Sequence, residues 1–134
     1  MPDWKLWKEM AQDTLVDARS LFSNSRMRSA VSRYYYAVYQ MSTAVLLYRN
    51  QTPPEYREAW SHNSTPELLG EHLHLSGLNR SQHKTFTKFM QELYKMRCDA
   101  DYQSGVGFQF EIVKKIDRSA RYFITVCSDI LPKE

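Results

Sequence analysis

Apolar residues fall along this chain in steps of three and four. Trp4, Trp7, Ala11, Leu15, Ala18 and Phe22 make one such stripe behind Asp3, a residue type suited to capping a helix N-terminus. A stronger stripe runs through Met27, Val31, Tyr34, Val38, Met41, Val45 and Tyr48, with Ala30, Ala37 and Ala44 beside it. At about 1.5 Å per residue this second helix is roughly 35 Å long, enough to be the spine of a bundle. "NQTPPE" stops it, and "STPELLGEHL", with Pro66 and Glu67 at its start, predicts a short helix. Asn79 and Gln82 form a capping box ahead of a further helix whose apolar face reads Phe86, Met90, Leu93 and, in register, Arg97. After "YQSGVG" the last helix shows Val113, Ile116, Ala120, Phe123, Cys127 and Ile130. No alternating strand pattern competes. The pattern predicts an all-α fold, an up-and-down bundle of four long helices plus a short extra helix, as a single domain over residues 1–134. The unbroken seam of the second helix has two readings: it fills the bundle core, or it leaves apolar surface for a second copy, which predicts a homodimer.

A length of 134 residues suits one domain with one core. The balance of 18 Lys and Arg against 15 Asp and Glu gives +3, which permits nucleic acid or phosphate ligands without requiring them. Cys98 and Cys127 are too few and too far apart for a disulfide framework or a CxxC site, so reduced thiols are expected. "MPDWKLWKEM" lacks a signal-peptide core and no run approaches a membrane span, so a cytoplasmic protein without membrane contact is expected.

Candidate chemistry gathers in two places. In "KMRCDADYQSG", Asp99 and Asp101 close a helix where the dipole favours cations, and Arg97 stands four residues before Asp101 on the apolar face. One reading is a salt bridge that closes the bundle end. The other is a polar site in which Arg97 faces a phosphate and Tyr102 supplies a hydroxyl and a stacking ring. The second helix adds "SRYYYAVYQ", where Arg33, Tyr36 and neighbouring tyrosines point to different faces and some hydroxyls are left for Arg33, Asp101 or a ligand. Arg80, Lys84, Lys88 and Lys95 recur at helical steps away from the apolar face, and Lys114, Lys115, Arg118 and Arg121 add positive charge on the last helix. No metal is expected, since His72 and His74 diverge on a helix without carboxylate partners, and no cofactor motif is present.

"SAVSRYYYAVYQMSTAVLL" and the later "RCDADY" resemble the HEPN domain (higher eukaryotes and prokaryotes nucleotide-binding), in the branch with Arg-x-Tyr-Tyr-Ala and Arg-x-x-Ala-Asp-Tyr segments. By position these are Arg33, Tyr35, Tyr36 and Ala37, then Arg97, Ala100, Asp101 and Tyr102. The resemblance covers roughly residues 10 to 130. It implies a helical bundle that dimerises and acts on RNA or nucleotides in toxin-antitoxin or phage-defence systems, beside a nucleotidyltransferase or other partner protein. Many members are metal-independent ribonucleases with a His separated from the Arg by four to six intervening residues. Here those positions hold Tyr102, Gln103 and Ser104, and a phenol is a poor base at neutral pH. The implied site therefore has Arg97, Tyr102 and, if its connection folds over the bundle mouth, His62 as catalytic candidates. The binding candidates are Arg33, Tyr36, Asp101, Arg80, Lys84, Lys88 and Lys95. RNA or nucleotide binding, ribonuclease activity with a non-standard site, and a structural role beside a larger partner all stay open at this stage.

Overall fold

The computed structural model describes residues 3–51, 65–75, 77–103, 105 and 107–133. These form α1 (Trp4–Ser23), α2 (Met27–Tyr48), α3 (Thr65–Leu75), α4 (Arg80–Tyr102) and α5 (Phe110–Ile130), four long helices and one short one, with no strand among the described residues. Asp3 caps α1, its carboxylate accepting from Lys5 N at 2.9 Å. At α4 both halves of the capping box are made: Gln82 N donates to Asn79 Oδ1 at 2.8 Å and Asn79 N donates to Gln82 Oε1 at 3.2 Å.

Ring contacts give the directions. Trp4 at the start of α1 meets Tyr48 at the end of α2, and Phe22 at the end of α1 stacks on Phe110 at the start of α5. Phe86 near the start of α4 meets Phe123 in the second half of α5. The long helices thus alternate up and down, with α2 and α5 running the same way. They form a flattened bundle in which α2 touches every other helix, whereas α1 and α4 do not meet. The rows Ala11, Ala18 and Ala30, Ala37, Ala44 are all buried, and small side chains at seven-residue steps let α1 and α2 approach closely over their length.

The seam of α2 is consumed inside the chain. Ala30, Val31, Tyr34, Tyr35 and the run Met41–Leu46 are buried on several faces, and α1, α3, α4 and α5 cover them. Of the two readings of that seam, the core therefore accounts for it, and it offers no broad apolar stripe to a second copy. Full burial of side chains such as Met41, Met90, Leu93 and Phe123 stabilises by about 1.5–3 kcal/mol each. α3 lies on α2 and α4, and Gly70 brings it close: a Cβ there would stand 2.6 Å from Thr87 Oγ1. No described helix is long and apolar enough to cross a membrane.

Candidate functional site

The antiparallel run of α2 against α4 sets the start of one beside the end of the other. α4 has no basic residue in its last turn, and its final carbonyls point out with the negative end of the helix dipole. The cation comes from α2. Arg28 Nη1 donates to Ala100 O at 2.5 Å, Gln103 O at 2.9 Å and Asp99 O at 3.4 Å, which satisfies the exposed end of α4. That contact fixes the register in which α2 presents Ser32, Tyr35 and Tyr36 to α4.

Arg97 occupies the pocket so formed, with 6% of its surface exposed. Its guanidinium carbon lies 5.4 Å from the ring of Tyr35, 5.7 Å from Tyr36, 5.2 Å from Tyr94 and 5.8 Å from Tyr102. Nη1 pairs with Asp101 Oδ2 at 3.4 Å, and Ser32 Oγ donates to the same oxygen at 3.3 Å. Arg97 Nε is buried without a hydrogen-bond partner. Burial works to lower the Arg97 pKa, but Tyr36, Cys98 and hydrogen bonds to Asp101 and Tyr102 outweigh it and hold the pKa above the ordinary arginine value. The side chain is a fixed cation.

The Arg97–Asp101 salt bridge is made, and it leaves part of the Arg97 guanidinium unused. Taking an ion out of water costs several kcal/mol, and the ion pair that offsets it is long and reaches a carboxylate still 30% exposed. Cation–π contacts of a desolvated guanidinium return about 2 kcal/mol or more each. One donor inside the pocket, Arg97 Nε, remains unused all the same. A phosphate oxygen would satisfy it.

The other sequence-derived residues divide by position. Arg33 is exposed and lines a cleft of about 330 Å³ with Arg28, Ser29, Ser32 and Asp101. Tyr36 is half-buried, while Tyr102, the last residue of α4, is 74% exposed and forms the outer wall. Arg33, Tyr36, Arg97, Asp101 and Tyr102 are thus brought to one end of the bundle. Arg80, Lys84, Lys88 and Lys95 are all exposed on α4. Lys88, Lys95 and Tyr102 recur every seven residues and share one face, so the stripe leads to the outer wall of the pocket. Arg80 lies at the far end of α4, about 26 Å from Arg97 at about 1.5 Å per residue. The stripe is not purely basic: Lys88 pairs with Glu92 at 3.9 Å, and Lys84 and Lys88 share a cleft with Glu67 and Glu71 of α3. His62 falls outside the described residues. No group of three His, Cys, Asp or Glu side chains among those described could hold a metal ion.

Sequence reasoning missed Arg28, Ser32 and Tyr94. Tyr94 was within reach, standing three residues before Arg97 on the same face. Arg28 and Ser32 carried no signal, because their partners lie about seventy residues away.

Comparison with known proteins gives a consistent picture. The family model described as the HEPN domain matches residues 4–130. The chain is 27% identical over 125 residues to a UPF0332 protein of Thermotoga maritima, covering 93% of this chain and 88% of that one. It is 29% identical over 94 residues to a protein of Methanocaldococcus jannaschii named "Putative toxin MJ0605", covering 70% of this chain and 63% of that one.

Proposed function

This chain belongs to the HEPN domain family, and we propose that it is an RNA- or nucleotide-binding protein of a prokaryotic toxin-antitoxin or phage-defence system. The observation that carries the reading is Arg97, a buried cation with an unused donor inside a ring of four tyrosines, at the end of a lysine stripe. A phosphate takes the free hydrogen-bonding capacity of Arg97, with Arg33 on the adjoining cleft. Tyr102 swings from the helix end to admit it and stacks on a base. Lys95, Lys88 and Lys84 track the backbone beyond. The toxin named among the relatives supports a place in such a system.

Cleavage is the second reading. It needs a proton carrier near the phosphate, and the nearness of the Tyr102 ring to the Arg97 guanidinium supports Tyr102 in that role. Incubation with mixed RNA in EDTA decides between the two. Retention that weakens with salt, without cleavage, is the expected result. EDTA-resistant cleavage that vanishes in Arg97→Ala and weakens in Tyr102→Phe would establish the ribonuclease reading instead.

Self-association belongs to the same proposal. With the α2 seam covered, an open apolar groove lies between α4 and α5, about 200 Å³ lined by Phe89, Leu93, Met96, Ile112 and Ile116. Glu92 stands on its α4 side and Lys115 on its α5 side, a pairing of charges that becomes complementary when a second copy is turned about a two-fold axis. A nucleotidyltransferase or other defence protein is the further partner that the reading accommodates.

A further inference from the structure

Asp117 is the only acidic residue buried among those described. It lies on α5 and faces both α1 and α2. The Tyr34 hydroxyl donates to Oδ1, Arg19 Nε of α1 pairs with Oδ1 at 3.3 Å, and Arg121 Nε of α5 pairs with Oδ2 at 3.0 Å.

One cation would neutralise this carboxylate, and the phenol already satisfies it. Two guanidiniums leave a local charge of +1 at the surface, since the Arg19 and Arg121 side chains are 53% and 46% exposed. A guanidinium carries five N–H donors. Beyond the Nε contacts, neither arginine has another hydrogen bond or ion pair among the described residues. Both forks are therefore anchored at one edge, side by side, with their terminal amino groups open to solvent. Lys114 and Arg118 are exposed on the same helix, at steps of three and four from Arg121. Anchoring removes much of the side-chain entropy that an exposed arginine loses on binding. The fork geometry suits the tetrahedral oxygens of a phosphate better than a point charge would.

We propose that Arg19 and Arg121, oriented by Asp117, form a phosphate-binding clamp on the α1–α5 face, separate from the Arg97 pocket. The phosphate is either a backbone phosphodiester or a free phosphate group, and the clamp does not depend on the RNA reading.

The test follows the arginine Nε–Hε resonances of ¹⁵N-labelled protein during titration with inorganic phosphate, with AMP and with a short oligoribonucleotide. The expected result is a saturable shift of both the Arg19 and Arg121 signals. Saturation by all three probes assigns a free phosphate site, and a shift with the oligonucleotide alone assigns the RNA backbone. Single substitutions leave Asp117 less compensated and risk unfolding, so the variant used is the triple one, Arg19→Gln, Asp117→Asn and Arg121→Gln together, which removes all three charges at near-constant shape. In that variant the log-log salt slope of oligonucleotide binding should fall by about 0.7 per phosphate lost if the backbone is the source. If RNA binds nowhere while inorganic phosphate still moves both resonances, the clamp stands and the RNA reading falls. Resonances that stay fixed with all three probes overturn the clamp.

Discussion

At the residue scale, the position of Arg97 was legible because the register of Phe86, Met90 and Leu93 carried it onto the buried face. Its surroundings were not. Which of four consecutive aromatic and alanine positions on α2 meets α4 depends on the rotation of one helix against another, and a single stripe does not encode that. The tyrosines make a pH test. Burial pushes the Tyr34 and Tyr35 pKa values well above the ordinary tyrosine value of 10.0, and it raises that of Tyr39 as well. Because the folded-state values exceed the unfolded ones, the stability these groups confer is complete below pH of about 10 and is lost as pH rises above it. Urea midpoints should therefore fall steeply in alkali, and part of the phenolate absorbance should appear only as the chain unfolds. Smooth titration of every tyrosine in the folded protein would contradict this. The thiols give a second test: Cys127 is fully buried with its pKa raised by desolvation, while Cys98 is half-buried, so iodoacetamide should modify Cys98 and spare Cys127 until urea is added.

At the scale of elements, helix starts were legible where side chains cap locally, as at Asp3 and at Asn79 with Gln82. The closure of α4 was not, because its cap arrives from another helix. Two features of "RCDADY" are met by different partners: Arg28 of α2 caps the last carbonyls of α4, and Arg97 makes its ion pair with Asp101. Arg28→Ala should cost about 1–2 kcal/mol and speed amide exchange in the last turn of α4. Unchanged exchange there would remove Arg28 from the cap. Gly70→Ala is informative because its two effects oppose. Helix propensity favours alanine by about 1 kcal/mol, but the new Cβ meets Thr87 Oγ1, which donates to His83 O at 2.9 Å. A net loss of about 1 kcal/mol is expected, reversed when Thr87→Ala is added. A single Gly70→Ala variant more stable than the parent would mean that α3 and α4 have room between them.

For the whole molecule, the periodicity carried the class and the helix order, while the flattened packing that keeps α1 and α4 apart and opens a groove between α4 and α5 emerges only from how all the helices share α2. On the proposed reading, two copies meet through the α4–α5 groove and not through α2. Sedimentation should report a dimer, and Ile112→Glu, on a side chain 42% exposed, should return it to a monomer without unfolding it. A monomeric parent chain would remove the groove as an interface. The central claim, that Arg97 is kept for a ligand and does not serve to hold the fold, is tested most directly by Arg97→Met, measured in parallel by urea melting and by anisotropy of a labelled oligoribonucleotide. Replacing a buried ion-paired side chain by an apolar chain of similar volume often costs little. The variant should therefore keep its stability within about 1 kcal/mol and lose at least about tenfold in RNA affinity, equivalent to about 1.4 kcal/mol of binding. A loss of about 3 kcal/mol or more in stability, with RNA affinity of the folded fraction unchanged, would make Arg97 a structural ion and contradict the account.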